Sequence, residues 1–253
     1  MSRPVYFLLG TPGSGRRAIV RDLVENGLAP EDKAIVLVAE SETAVAADAR
    51  LAALPQVELR RWQWTPPALP ALELPAGATI FFLADAHASP IDQLEALKPW
   101  LMEHGAELAR IFCVVDCQLA ERQPVLRQWF DACIHFADVV FLTRREGLAN
   151  KWLSDFIAHF QDQHFPCHFV PVKTKGDLAN PLVLLDPTPR RMSQYFDHAD
   201  ELDLDIEIET DDEEDDDEET ADVIPEEPYF VRQRSGRRDR EVPDVTKFLA
   251  PGP

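Results

Sequence analysis

The chain has 253 residues, of which 45% are hydrophobic, and a formal net charge of −20. This size and apolar content fit a soluble globular protein with one sizeable core, while no stretch reaches the roughly 18 apolar residues of a membrane span. The four cysteines are too few for a disulfide scaffold and indicate reduced thiols, so a cytoplasmic protein is expected.

The acidic excess is concentrated in one segment near the C terminus. Residues 200–222 hold 16 of the 45 acidic residues and no lysine or arginine, which leaves 29 acidic against 25 basic residues, about −4, for the rest. Phosphate repulsion argues against nucleic acid as a ligand of this segment. A basic protein partner, a cation or simple solubility remain as its uses.

Apolar runs alternate with helical patterns over residues 5–172, which predicts βα units around a mostly parallel sheet. Parallel strands are buried on both faces, so they read as continuous apolar runs. The predicted strands are Val5–Leu9, Ala34–Ala39, Val57–Trp62, Thr79–Ala84, Ile111–Val115, Val139–Leu142 and His168–Val172. The predicted helices are Arg16–Asn26, Thr43–Leu54, Pro90–His104, Glu121–His135, Ala149–Gln163 and a short last one at Met192–Phe196.

The sequence divides into an α/β domain over residues 1–190 and an acidic, largely flexible region over residues 191–253. In the second region, residues 202–209 alternate strictly between apolar and acidic side chains. This alternation is typical either of an edge strand or of a segment that orders only on a partner. Five arginines that follow could fold back on the acidic run, or both could be solvated: Arg232, Arg234, Arg237, Arg238 and Arg240.

The first predicted strand runs directly into a glycine-rich loop that precedes an amphipathic helix. Residues 10–17 read GTPGSGRR and have the glycine spacing of the P-loop pattern G-x-x-x-x-G-K-[ST]. In such a loop the glycines let successive backbone N–H groups surround phosphates at the positive end of a helix. The predicted phosphate-binding residues are Gly10, Thr11, Pro12, Gly13, Ser14, Gly15, Arg16 and Arg17.

Two positions of that pattern hold unusual residues. Arg16 occupies the position of the lysine that reaches the β and γ phosphates. Its side chain is also positively charged, but the charge is carried by a planar guanidinium on a longer side chain instead of a compact ammonium. Arg17 stands where a Ser or Thr hydroxyl binds Mg²⁺, although a guanidinium has no lone pair to give a metal. The loop therefore predicts nucleotide binding without magnesium-assisted hydrolysis.

Carboxylates follow two of the predicted strands. Asp85 comes directly after Thr79–Ala84, and Asp116 directly after Ile111–Val115. Ligands of open α/β sheets bind at the carboxyl ends of the strands, where P-loop proteins place an acid that organises Mg²⁺. We expect both carboxylates near the phosphate site, although Asp85 could instead be a turn residue or a cap before Pro90.

Several separated motifs resemble the CobW family of P-loop GTPases and metallochaperones. The strand end Val114-Val115-Asp116, the pair Ala137-Asp138 and the segment 143–146 occur in the order of that family over residues 4–172, and residues 85–97 resemble it as well. The resemblance implies a P-loop NTPase-like domain that binds GTP or another nucleotide. Residues on the guanine-reading N-K-x-D positions are Thr143, Arg144, Arg145 and Glu146.

The chain departs from the family pattern at the residues that carry its chemistry. Thr143 lacks the asparagine amide, and Glu146 is one methylene longer than the usual aspartate. The cysteine metal motif C-x-C-C is absent from the segment 55–77. Together with Arg16 and Arg17, these departures predict a pseudoenzyme that has no catalytic residue and no metal site and binds Mg²⁺ weakly.

Three functions remain open from the sequence. The first is a degenerate CobW-like nucleotide-binding protein that does not hydrolyse its ligand and acts as a binding or regulatory module. The second is an interaction scaffold that captures a basic protein through residues 200–222. The third is an active GTPase or metallochaperone, against which Arg17 argues because it removes a magnesium ligand.

Overall fold

A computed structural model describes residues 3–173, 177–197 and 226–249 of the chain. These residues belong to two compact units, one over residues 1–192 and 241–253 and the other over residues 193–240. Among the described residues, none of the helices combines the length and the apolar character that a bilayer crossing requires. The acidic run 200–222 and its alternating residues 202–209 lie outside the described residues.

The first unit is built on a seven-stranded sheet in which every pairing is parallel. Its strand order is β3-β2-β4-β1-β5-β6-β7, so the strand that leads into the glycine-rich loop is central. This confirms the predicted P-loop NTPase-like α/β fold, with a parallel sheet between helices. The strands are β1 Pro4–Gly10, β2 Ala34–Ala39, β3 Val57–Trp62, β4 Thr79–Leu83, β5 Glu107–Asp116, β6 Val139–Thr143 and β7 His168–Pro171.

Helices connect the strands and cover the sheet. The predicted bounds are confirmed for the helix that begins at Pro90 and are within three residues for those that follow β1, β2 and β6. The α-helices are α1 Arg16–Gly27, α2 Ala46–Ala52, α3 Pro90–His104, α4 Cys117–Arg122, α5 Arg127–His135, α6 Asn150–Gln161 and α7 Pro181–Leu184. Short 3-10 helices span Pro124–Leu126 and Val245–Phe248.

Two of the predicted helices are wrong. The helix predicted over Glu121–His135 is broken, because Pro124 has no N–H and holds the preceding Gln123 outside the helical region, at φ −125° and ψ 76°. The helix predicted over Met192–Phe196 is absent, and the Ser193 hydroxyl there accepts a hydrogen bond from the backbone N–H of Tyr195 at 3.3 Å. Such local side-chain bonds compete with helical ones.

The core contains a row of aromatic rings across the four central strands. On one face of the sheet, Tyr6 stacks between Phe81 and Phe112 with ring centroids 5.3 and 5.6 Å away, and Phe112 meets Phe141 edge to face at 5.3 Å. These rings come from β4, β1, β5 and β6, so they tie together the strands whose carboxyl ends carry the glycine-rich loop and Asp116. Their packing fixes the frame on which the loop stands.

The second unit is small and holds the five arginines that follow the acidic run. The ring of Tyr195 meets that of Phe230 edge to face with centroids 4.7 Å apart. The Arg238 guanidinium lies 5.7 Å from the centroid of the Phe230 ring, and the Arg240 guanidinium lies 5.3 Å from that of Tyr229. These two arginines therefore stack on aromatic faces within their own unit.

All four cysteines are buried free thiols, and we expect none of them to react in the folded protein. Burial raises the pKa of Cys117 and Cys167 to about 12 and that of Cys133 well above its usual value, so little reactive thiolate forms. Ellman's reagent at pH 8 should modify no thiol without urea and four with it. The pKa of Cys117 and Cys167 is lower in the unfolded chain, near 9, so the free energy of unfolding should fall as the pH rises from 9 towards 12. Rapid modification of a native thiol would contradict this.

Candidate functional site

The glycine-rich loop between β1 and α1 is shaped by glycines that no other residue could replace without strain. Gly10, Gly13 and Gly15 have φ values of 150°, 73° and 96°. A Cβ on Gly10 would lie 2.8 Å from the Val114 carbonyl oxygen, so the loop passes close to the neighbouring strand β5. The sequence predicts this turn, and the positive φ values explain why these positions hold glycine.

The loop leaves polar groups without partners at the start of α1. The N-terminal N–H groups of a helix have no intrahelical acceptor, and here Gly15 stands at the N-cap without a side-chain cap. No acidic residue lies in the first turn. The hydroxyls of Thr11 and Ser14 are buried, at 0% and 2% residue exposure, and make no hydrogen bond. Such groups suit an anion with several acceptor oxygens.

A cleft of about 760 Å³ opens over this loop. That volume is in the range of sites that hold small molecules or cofactors. Its exposed lining residues include Arg144, which the sequence predicts at the site, and Arg122 and His87, which are not among the predicted site residues. The lining comprises residues 12–18, five residues of the segment 41–47, His87, Asp116, Leu119, Arg122, Arg144 and Leu249.

The two arginines of the loop are held by internal carboxylates. Arg16 donates to the carbonyl oxygens of Leu8 and Ala84, at 3.3 and 2.6 Å, and pairs with Glu42. Arg17 donates to the other oxygen of Glu42 at 3.0 Å and to Asp48 at 3.1 Å. Both arginines are at most 5% exposed, so these are buried ion pairs.

A third arginine completes this cluster, which we call the arginine–carboxylate cluster: Arg16, Arg17, Arg61, Glu42 and Asp48. Arg61 on β3 donates to the Asp48 carboxylate at 2.8 Å and to the Glu42 carbonyl oxygen at 3.0 Å. Hydrogen bonds between guanidinium groups and carboxylates are charge-assisted, and removing one partner of a buried pair is costly. The cluster therefore fixes both loop arginines in place.

Asp85 lies beside the cleft rather than in its lining. One carboxylate oxygen accepts from the Ser41 hydroxyl at 2.6 Å and from the backbone N–H of His87 at 2.9 Å. Its backbone N–H donates to the side chain of Gln93 at 2.7 Å. These bonds tie Asp85 to the segment at Ser41 and to the loop before α3.

Asp116 faces the cleft at the carboxyl end of β5. One oxygen caps α4 by accepting from the Leu119 N–H at 3.0 Å, and the other accepts from Arg144 at 3.0 Å. The Arg144 side chain remains 52% exposed and its backbone has a φ of 48°. This pair places one anchored guanidinium over the mouth of the glycine-rich loop.

The two outer members of the predicted base-reading segment do not line the cleft. The Thr143 hydroxyl is buried and lies 2.9 Å from the carbonyl oxygens of both Ser14 and Val115, so it braces the loop against the sheet. Glu146 is exposed, and its carbonyl oxygen accepts from Gln118 at 2.8 Å. Of the predicted segment, Arg144 is the residue that faces the cleft.

Sequence reasoning missed Glu42, Asp48 and Leu249. Glu42 lies three residues beyond the end of β2, so the strand-end rule that selected Asp85 and Asp116 could have found it. Nothing in the sequence could have found Leu249, because this residue reaches the cleft only through the fold. Val245 anchors the short helix that precedes Leu249, with an exposed fraction of 2%.

Comparisons with known proteins give structural likeness alone. No family model and no curated protein matches the chain. Among solved structures, the Zn(II)-bound YjiA GTPase from E. coli is 14% identical, with a TM-score of 0.38, over 75% of this chain and 67% of that one. A Zn(II)-bound triple mutant of the YjiA GTPase is 15% identical, with a TM-score of 0.37 over the same shares. At these values the likeness says nothing about the ligand of this chain.

Proposed function

We propose that the cleft binds a nucleotide through the glycine-rich loop. The observation that carries this proposal is the open start of α1: uncapped N–H groups and the buried Ser14 hydroxyl without a partner, under a cleft of about 760 Å³ that residues 12–18 line. An anion at that position satisfies groups that are otherwise costly to leave unpaired. Arg144 and Arg122 at the cleft supply further positive charge.

We further propose that this protein does not hydrolyse its ligand. Hydrolysis in P-loop proteins relies on Mg²⁺ held by a Ser or Thr hydroxyl and an acid at a strand end. Here Arg17 occupies the hydroxyl position and donates to Glu42 and Asp48, while Asp85 is engaged by Ser41 and His87. These residues do not fit a magnesium ion, so the domain acts as a binding or regulatory module.

The finer assignment is a degenerate CobW-like protein that takes a guanine nucleotide. It is supported by the order of the motifs along residues 4–172 and by the strand end at Asp116, which faces the cleft beside Arg144. Capture of a basic protein by the acidic residues 200–222 stays a prediction from charge, independent of the cleft.

Thermal unfolding of the full chain tests the proposal directly. We expect GDP at 100 times its Kd to raise the free energy of unfolding by about 2.7 kcal/mol, and the increase to be the same with Mg²⁺ or with EDTA. With GDP the melting temperature should therefore rise by several degrees. Adenine nucleotides in parallel test whether the cleft prefers guanine.

Three results would count against the proposal. No shift with any guanine or adenine nucleotide at millimolar concentration would mean that the cleft is not a nucleotide site. Phosphate release from GTP in the presence of Mg²⁺ would contradict the absence of hydrolysis. A shift that requires Mg²⁺ would contradict the role given to Arg17.

A further inference from the structure

The two residues that would handle the γ-phosphate in a P-loop converge here on one carboxylate. In the P-loop pattern, the residue at the position of Arg16 reaches the β and γ phosphates, and the residue at the position of Arg17 binds the associated Mg²⁺. In this chain Arg16 pairs with one oxygen of Glu42, and Arg17 pairs with the other at 3.0 Å. One protein carboxylate thus pairs with both residues that the pattern assigns to the γ-phosphate and its metal.

Backbone hydrogen bonds hold Glu42 in position beside the two arginines. It follows β2 and its backbone N–H donates to the Ala39 carbonyl oxygen at 3.2 Å, which forms a tight turn at the edge of the cleft. Its carbonyl oxygen also accepts from Arg61 at 3.0 Å. The residue is 9% exposed and lines the cleft, so its carboxylate is part of the site's inner wall.

The remaining bonds of the two arginines leave them little freedom to follow a ligand. Arg16 also donates to Leu8 and Ala84, and Arg17 also donates to Thr43 and Asp48. A γ-phosphate that approached them would have to displace Glu42 or stand beside its negative charge. A diphosphate would accept hydrogen bonds from the backbone N–H groups of the loop without approaching the Glu42 carboxylate.

We propose that Glu42 is a built-in substitute for the γ-phosphate, so that the cleft selects nucleoside diphosphates over triphosphates. This inference rests on the proposed nucleotide-binding function and adds the class of ligand to it. The charge that a metal-bound γ-phosphate would present to Arg16 and Arg17 is already supplied by the protein. The diphosphate complex then needs no Mg²⁺.

Isothermal titration calorimetry of the full chain with GDP and GTP, each with Mg²⁺ and with EDTA, tests the inference. We expect wild type to bind GDP at least about 10-fold more tightly than GTP, in either buffer. The Glu42→Gln variant keeps the volume and an acceptor oxygen but removes the charge, so GTP should gain at least about 10-fold relative to GDP. Glu42→Asp, which keeps the charge, should keep the preference for GDP.

Glu40→Gln is the matched control. Glu40 is exposed, lies two residues before Glu42 and does not line the cleft, so the same change of charge should leave both affinities unchanged. If Glu42→Gln does not fold, the ratio of GDP to GTP affinity in wild type decides alone. Equal wild-type affinities would overturn the inference and leave the proposed function standing. Binding of neither nucleotide would overturn the proposed function itself.

Discussion

Replacing Gly13 with aspartate is expected to weaken GDP binding by at least about 100-fold, or about 2.7 kcal/mol. Gly13 stands in the glycine-rich loop at φ 73°, and a Cβ there would lie 3.7 Å from a terminal nitrogen of Arg144. The new carboxylate would face the phosphates and could also pair with Arg144, which removes a cation from the ligand. Both effects oppose an anion in the cleft.

The substitution should leave the fold intact. Aspartate is among the residues that tolerate a left-handed backbone, so its cost there is about 1 kcal/mol. Gly236→Asp is a matched control, because Gly236 has φ 83°, open space around its Cβ position and no place in the cleft lining. Calorimetry with GDP compares the two variants. If Gly13→Asp bound GDP within about threefold of Gly236→Asp, the loop would not be the phosphate site.

The parallel sheet and the glycine-rich loop were predictable because their signals are local. In a chain of alternating strands and helices, a continuous apolar run such as Ala34–Ala39 indicates a parallel strand that is buried on both faces. The turn at Gly10–Gly15 follows from the glycines themselves. The signal for the helix break at Pro124 is also local. Proline disfavours a helical conformation of the residue before it, so the sequence could have predicted two helices there instead of one.

The charge arrangement of the site was not predictable, because it depends on residues that only the fold brings together. Arg17 lies 25 residues from Glu42 and 31 from Asp48, yet it pairs with both. From the sequence, Arg16 and Arg17 are simply two cations at a phosphate site. In the structure both are already paired with carboxylates, and this changes the expected ligand rather than the expected fold.

Asp138 shows the same limit in the motif Ala137-Asp138 that supported the CobW resemblance. Its carboxylate is fully buried and accepts from the backbone N–H groups of Ile111 at 2.7 Å and Arg190 at 2.6 Å. It also pairs with the Arg191 side chain at 3.2 Å. The motif therefore joins β5 to the segment at residues 190–191, and Asp138 does not line the cleft.

Replacing Asp138 with alanine is expected to lower the free energy of unfolding by about 3–5 kcal/mol. The change leaves the Ile111 N–H without its acceptor and takes the Asp138 charge away from Arg191, whose side chain is only 4% exposed. Burial raises the pKa of Asp138, so the ionised carboxylate depends on these partners. Urea unfolding measures the loss, and the melting temperature should fall by roughly 6–20 °C.

A second aspartate provides the control for this prediction. Asp155 forms an ion pair with Lys151 on the exposed face of α6, where the two side chains are 62% and 84% exposed, so Asp155→Ala should cost at most about 0.5 kcal/mol. Asp138→Asn keeps an acceptor oxygen and should lie between the two. If Asp138→Ala were as stable as Asp155→Ala, the buried network would not hold the sheet. If it lost GDP affinity at full stability, Asp138 would instead belong to the nucleotide site.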